Sequence, residues 1–266
     1  MKKSVFMIVS AILSFLLLFA VSFAESPKEI TVSAAISLKN AFEDMGRLYE
    51  LKNKGTKVVF NFGASGDLMK QIEGGAPVDV FASAAQKDMD VLEQNGLVAA
   101  GSRTNFAANT VVLVAPANVG ASIQSFEELK TGSIKKIAVG NPKTVPAGRY
   151  AEEVFRYYKI LDAIKDKFIL TENVRQALDY IARGEVDAGV VYSTDAMTRT
   201  KEVIIVATAP EQSHKPVVYP IAVVKGTKSE GAAKTFISLV TSVEGKKIME
   251  KYGSAEGLRT SMEEGR

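Results

Sequence analysis

Short apolar runs alternate with amphipathic segments along most of the chain. The first such pair is an apolar run at 30–34, which predicts a buried strand, and a segment at 38–51 with apolar residues at helical spacing. Further strands are predicted at 57–62, 78–81, 110–115, 137–139, 168–170, 186–192, 203–207 and 217–224, and further helices at 67–73, 87–94, 147–158, 174–182 and 232–252. This alternation indicates α/β sheets covered by helices on both faces.

The length of the chain favours two lobes, although one sheet could hold all the predicted strands. The chain has 266 residues, which exceeds the usual size of a single domain. We expect the apolar strands near Thr110 and Val217 to be the two places where the chain crosses between lobes. The predicted first lobe is therefore discontinuous, with residues 25–107 and 217–266, and the second lobe is the contiguous segment 108–216.

The N-terminal segment has the pattern of an export signal. Lys2 and Lys3 precede an apolar run at 5–23, and Ser22-Phe23-Ala24 fits a small-x-small cleavage site. We predict a signal peptide at 1–24 that is cleaved on export to the periplasm. An uncleaved anchor is the alternative, because about 18 apolar residues can span a bilayer.

Composition excludes several classes of function. The chain has no Cys and one His, which excludes cysteine nucleophiles, disulfides and zinc or iron–sulfur clusters, and argues against a histidine-dependent hydrolase. Without Cys, lipid attachment at the N-terminus is also excluded. The 33 basic and 30 acidic residues give a net charge of +3, which is too balanced for binding nucleic acid.

Small and hydroxyl-bearing residues follow several predicted strands, where helices begin. Ligands of open α/β sheets bind at the carboxyl ends of strands, and helix N-termini attract anions through their free N–H groups. A single residue of this kind is explained equally well as an ordinary helix N-cap. Only the repetition of the pattern at several helix starts points to an anion-binding site. The turns are 34–38, 63–67, 145–148, 173–175 and 192–195.

A series of ordered motifs closely resembles the periplasmic molybdate-binding proteins of ABC transporters, over almost the whole chain after residue 24. The motifs are Ala34-Ala35-Ile36-Ser37-Leu38, Phe62-Gly63-Ala64-Ser65-Gly66, Gly140-Asn141-Pro142, Val145-Pro146-Ala147-Gly148, Glu172-Asn173-Val174-Arg175, Gly189-Val190-Val191-Tyr192 and Tyr219-Pro220. The resemblance implies a two-lobed type II periplasmic binding protein fold with two hinge strands. It also implies a carrier, not an enzyme, that needs no cofactor and delivers molybdate or tungstate to a membrane permease. We expect a monomer.

The resemblance places the family's ligand-binding residues on five positions of this chain. It implies hydroxyl donors at Ser37, Ser65 and Tyr192, and backbone N–H donors at Ala147 and Val174. Molybdenum would be held as molybdate, with no direct metal ligand. A site of donors alone suits an unprotonated dianion, because the proton of hydrogen phosphate would stay unpaired at a cost of about 1–3 kcal/mol. Tungstate nearly matches molybdate in size, whereas sulfate is smaller.

Three alternatives remain at this stage. The protein could carry another tetrahedral oxyanion such as sulfate, act as a secreted serine hydrolase, or form the effector domain of a regulator. The export signal and the lack of a helix-turn-helix segment argue against a regulator. Arg149 and Arg175 follow the two N–H donors, and we expect them to be solvated or to support neighbouring groups. Asp67 is expected to face solvent and His214 to lie in a structural turn.

Overall fold

The computed structural model describes residues 28–118 and 123–254, so the predicted signal peptide lies outside the described residues. The strands are β1 Lys28–Ala35, β2 Thr56–Gly63, β3 Val80–Ala82, β4 Thr104–Asn109, β5 Val111–Pro116, β6 Ile137–Gly140, β7 Phe168–Thr171, β8 Ala188–Tyr192, β9 Val203–Thr208 and β10 Val217–Val223. The helices are α1 Lys39–Lys52, α2 Ser65–Glu73, α3 Gln86–Gln94, α4 Pro146–Tyr157, α5 Leu161–Ile164, α6 Val174–Ala182, α7 Ser193–Ala196, α8 Glu230–Thr241 and α9 Val243–Lys251. Within these residues no helix is long and apolar enough to span a bilayer.

The strands form two separate five-stranded sheets. The first has the order β2-β1-β3-β10-β4, with β1 parallel to β2 and β3, and β10 antiparallel to both of its neighbours. The second has the order β7-β6-β8-β5-β9, with β6 parallel to β7 and β8, and β5 antiparallel to both of its neighbours. Each sheet with its helices is one lobe, which confirms the predicted two-lobed α/β fold.

The chain crosses between the lobes along two neighbouring segments. Thr110 alone separates β4 of the first sheet from β5 of the second, and the return path runs from β9 to β10. Val217 pairs with Asn109, and the N–H of Ala209 donates to the carbonyl of Val111 at 2.9 Å. The two crossings therefore lie side by side as an antiparallel ribbon at these two pairings, and residues 210–216 of the return path loop out between them. Ala108 and Asn109 still pair in the first sheet, beyond the predicted end of that lobe's first segment.

Aromatic side chains hold the first lobe together. Phe42 of α1 is fully buried, and its ring contacts those of Phe60, Phe106 and Phe236 at centroid distances of 5.7–6.2 Å. Burying one such ring contributes about 1.5–3 kcal/mol. These contacts join α1 and α8 to the sheet, which is why the helical spacing of apolar residues in α1 could be recognised in the sequence.

Several elements differ from the prediction, among them the short helices α5 and α7, which were not predicted. The strand β4 was not predicted, because Thr104-Asn105-Phe106-Ala107-Ala108-Asn109 has a short apolar centre and polar ends. The C-terminal helix predicted at 232–252 is two helices, α8 and α9. Ser242 breaks it by adopting an extended backbone, and its hydroxyl accepts from the N–H of Gly245 at 3.1 Å. A Cβ on Gly245 would lie 2.3 Å from the carbonyl oxygen of Leu239, so the chain bend requires glycine.

Candidate functional site

The five predicted site residues lie at the carboxyl ends of parallel strands in both lobes. Ser37 is in the short turn after β1, and Ser65 begins α2 after β2. Ala147 lies in the first turn of α4 after β6, Val174 begins α6 after β7, and Tyr192 ends β8. Parallel strands bring their carboxyl ends to one edge of a sheet. The two lobes therefore each present such an edge.

Contacts between the lobes bring several of these residues together. The hydroxyl of Ser65 accepts from the N–H of Ala84 at 3.0 Å, and the hydroxyl of Tyr192 donates to the carbonyl of Ala84 at 3.4 Å. Beside them, the N–H of Gly66 donates to the carbonyl of Thr144 at 2.9 Å. Ser65 of the first lobe and Tyr192 of the second thus meet at one residue, and the lobes are closed on each other.

Ser37 lies near the same region through its contact with Tyr219. Its Oγ lies 3.1 Å from the hydroxyl of Tyr219, whose ring centroid is 6.0 Å from that of Tyr192. The turn Ile36–Leu38 also lies beside α6, the helix that begins at Val174. Ser37 therefore contacts a hydroxyl of its own lobe, and its turn lies beside a helix of the opposite lobe.

The two helices of the second lobe that begin at this cleft leave backbone donors free. In α4, the carbonyl of Val145 accepts from Gly148 and Arg149 at 3.1 and 3.2 Å. In α6, the side chain of Asn173 accepts from Gln176 at 3.0 Å. Within 28–118 and 123–254, the N–H groups of Ala147 and Val174 have no acceptor, although both residues are buried. A buried N–H without a partner is costly, so these donors point to an acceptor supplied by a ligand.

The N–H of Ser65 is a further free donor at this cleft. Ser65 is completely buried, and its N–H also finds no acceptor in the described part of the chain. It is the first N–H of α2, where the positive end of the helix dipole favours an anion. Its position directly after β2, at a helix start, is the signal that the sequence gives for this donor.

Both arginines near the helix starts form ion pairs with buried carboxylates. Arg149 pairs with Asp88 of α3, in the opposite lobe, and Arg175 pairs with Asp195 in its own lobe. Burial raises the pKa of Asp88 and of Asp195, and the neighbouring arginine opposes each shift. Each guanidinium therefore supports a neighbouring group rather than standing free in solvent, which was one of the two roles expected for it.

Hydroxyl groups at the cleft remain protonated. Burial raises the pKa of Tyr192 well above its usual range, with smaller contributions from Tyr219 and Tyr150. A neutral phenol donates a hydrogen bond, whereas a phenolate cannot.

Asp67, expected to face solvent, is half-buried in the first turn of α2.

His214 is not positioned as a general base for Ser37 or Ser65. Its ring packs against Tyr150 at a centroid distance of 5.7 Å, and its Nδ1 lies 2.7 Å from the carbonyl of Lys215. In the described ranges no hydrogen bond joins it to Ser37 or Ser65, and no three His, Cys, Asp or Glu side chains cluster as metal ligands. The cleft therefore offers hydrogen-bond donors rather than a nucleophile with its base, a combination suited to holding an anion.

The chain matches known proteins over most of its length. The family model of bacterial extracellular solute-binding proteins matches residues 30–254. The molybdate-binding protein ModA of Haemophilus influenzae is 38% identical, over 87% of this chain and 91% of that protein. The molybdate-binding protein ModA of Escherichia coli is 38% identical, over 85% of this chain and 88% of that protein. Among solved structures, the periplasmic molybdate-binding protein of Azotobacter vinelandii superposes with a TM-score of 0.75 at 26% identity, over 85% of this chain and 98% of that one.

Proposed function

Because the chain belongs to the family of bacterial extracellular solute-binding proteins, we propose that it binds molybdate, and also tungstate, for import by an ABC permease. The family agrees with the resemblance of the sequence motifs. Its members bind solutes and are not enzymes, which removes the serine hydrolase alternative. The ligand named for the relatives in Haemophilus influenzae and Escherichia coli is the one that we propose here.

One observation carries the proposal: buried N–H groups without acceptors among the described residues lie at helix starts in both lobes, in the region where the lobes contact each other. The N–H groups of Ser65, Ala147 and Val174 come from three helix starts, and the hydroxyls of Ser37 and Tyr192 lie beside them. A tetrahedral dianion has four oxygens that accept several hydrogen bonds each. Fixed donors at helix ends can hold such an ion without a Lys or Arg in contact with it. Arg149 and Arg175 are each paired with a carboxylate, so the proposed site does not use them as ligands of the ion.

The same donor set favours an ion without a proton. Near neutral pH phosphate carries one proton, and a site of donors leaves it without an acceptor. That loss of about 1–3 kcal/mol corresponds to at least a fivefold preference for molybdate. Size must separate molybdate from sulfate, because a smaller ion would leave some of the fixed donors too far for a hydrogen bond.

The partner and location follow from the proposed role. A solute-binding protein of an ABC transporter acts outside the cytoplasm and releases its ligand to a membrane permease. We propose the periplasm as that location, with the chain working as a monomer.

Isothermal titration of the purified, ligand-free protein with four anions tests the proposal. Molybdate and tungstate should bind with similar affinity, and sulfate and phosphate should bind at least about fivefold more weakly. Sulfate binding as tight as molybdate would instead assign the protein to sulfate transport. Failure of all four anions to bind would show that the proposed function is wrong.

A further inference from the structure

We infer that Asn109 and Tyr219 orient the hydroxyl of Ser37 so that it donates its hydrogen to the bound anion. Neither Asn109 nor Tyr219 is one of the five predicted ligand-binding residues. The inference rests on the proposed function, since it concerns how the same site recognises its oxyanion.

The orientation of the Asn109 amide is fixed by the backbone. Its Oδ1 lies 2.9 Å from the N–H of Thr110, a group that can only donate, and it also accepts from the hydroxyl of Ser193 at 3.1 Å. Its Nδ2 therefore faces the other way. There it donates to the hydroxyl oxygen of Tyr219 at 3.0 Å and to that of Thr194 at 2.8 Å.

The direction of the next hydrogen bond follows. Tyr219 accepts from Asn109, so its own hydrogen needs another acceptor, and Tyr219 is 1% exposed. Ser37 Oγ, at 3.1 Å, is the other polar atom within hydrogen-bond distance of the Tyr219 hydroxyl in the described residues. Burial raises the pKa of Tyr219, so the phenol keeps its proton. Tyr219 therefore donates to Ser37.

Ser37 then has its oxygen occupied as an acceptor and its hydrogen free. That hydrogen points away from Tyr219, and the turn Ile36–Leu38 that carries Ser37 lies beside α6 of the opposite lobe. The three residues form a chain of donors that runs from the Asn109 amide through Tyr219 to Ser37. Because one end of the chain is a backbone N–H, the Tyr219–Ser37 hydrogen bond cannot readily reverse, and this bond favours the hydroxyl rotamer in which Ser37 donates to the ligand.

This chain also links the site to the crossing between lobes. Asn109 is the last residue of β4, at the antiparallel ribbon, and it bonds to Ser193 and Thr194 of the second lobe. The geometry around Ser37 is thus held by residues of both lobes. Tyr219 and Asn109 act as positioning residues for selectivity.

A double-mutant cycle tests the inference. Ser37→Ala, Tyr219→Phe and the double variant are titrated with molybdate and with phosphate, and their melting temperatures are measured without ligand. Tyr219→Phe should weaken molybdate binding about three- to tenfold, the loss expected for one hydrogen bond in the chain. It should also lower the ratio of molybdate to phosphate affinity. Without Tyr219 to hold it, the Ser37 hydroxyl can rotate and accept a hydrogen bond from the proton of hydrogen phosphate. In the Ser37→Ala background the same substitution should cost less than twofold.

Tyr150→Phe is the matched control. Tyr150 belongs to the same aromatic cluster, with its ring centroid 6.4 Å from that of Tyr192, but its hydroxyl donates to the carbonyl of Pro216 at 3.5 Å. It should leave the affinity ratio unchanged.

The outcomes separate the two claims. If the wild-type protein binds molybdate and the Ser37 and Tyr219 effects are additive, the positioning role is wrong while the proposed function stands. An unchanged molybdate-to-phosphate ratio in Tyr219→Phe likewise overturns the positioning role. If the wild-type protein binds no oxyanion, the proposed function itself is wrong.

Discussion

Arg149, at the start of α4 in the second lobe, forms an ion pair with the carboxylate of Asp88 in α3 of the first lobe. Asp88 is 4% exposed and Arg149 is 14% exposed, so the pair is nearly closed to solvent. Opening the cleft must separate the two charges. The pair therefore contributes to the closed arrangement and to how long a ligand stays inside.

Asp88→Asn should speed the release of molybdate. Removing one partner of a desolvated pair acts mainly on dissociation, and we expect a loss of affinity of about 2 kcal/mol or more, with little change in the association rate. Tyrosine fluorescence in a stopped-flow instrument measures both rates. Asp90→Asn is the control, because Asp90 lies on the same helix but pairs with Arg103 of its own lobe. A change confined to the association rate would show that Arg149 acts by attracting the anion.

Gly66→Ala should prevent full closure while leaving each lobe folded. A Cβ on Gly66 would lie 2.7 Å from the carbonyl oxygen of Thr144 and 2.9 Å from its Cα, both in the opposite lobe. We expect molybdate affinity to fall at least tenfold, with the melting temperature of the ligand-free protein nearly unchanged. Gly74→Ala, at the other end of α2, meets ordinary contacts at 3.4 Å and should bind normally. Normal binding by Gly66→Ala would mean that closure at this contact is not needed.

Ser65→Ala should weaken molybdate binding by about 1–3 kcal/mol, the usual effect of losing a donor to a charged group. Ser65 is completely buried beside Ala84, so water cannot replace its hydroxyl easily. Calorimetric titration gives the affinity. Ser238→Ala, on the exposed side of α8, is a control for the same chemical change and should have no effect. Equal affinities for the two variants would remove Ser65 from the site.

Asp44→Asn should lower stability at neutral pH but not in strong acid. Lys251, at 2.8 Å, together with Tyr252 and Arg47, holds the pKa of Asp44 at about 2, below its ordinary 3.8. A lowered pKa in the folded state stabilises the fold above the unfolded value and loses that effect as pH falls through 2. After allowance for solvent screening, we expect about 1 kcal/mol at pH 7. Urea unfolding between pH 7 and pH 2 measures the difference.

Asp162→Asn serves as the control for this titration. Asp162 is 97% exposed, and its contact with Lys165 is at 3.4 Å. Its substitution should change the free energy of unfolding little at any pH. A difference between wild type and Asp44→Asn that persists undiminished at pH 2 would contradict the assignment.

Local patterns predicted most of the strands and helices, because a buried strand or an amphipathic helix records its environment in its own sequence. The strand β4 was not predicted because its pairing with β10, rather than its own apolar content, determines it. The long-range side-chain contacts were not predicted from the sequence for the same reason. Tyr219 is 182 residues from Ser37, and Arg149 is 61 residues from Asp88. Nothing in either local sequence indicates its partner.

The position of β10 in the first sheet also sets an order for folding. It lies between β3 and β4, so β4 has no other neighbour among the described strands, and the first sheet is incomplete without the segment Val217–Val223. The second sheet needs only β5 to β9, which are contiguous in the chain. As the chain is synthesised from its N-terminus, the second lobe can assemble while the first still lacks β10, the strand that joins β3 to β4. A chain interrupted before Val217 would therefore retain one complete sheet and leave the apolar faces of the other exposed.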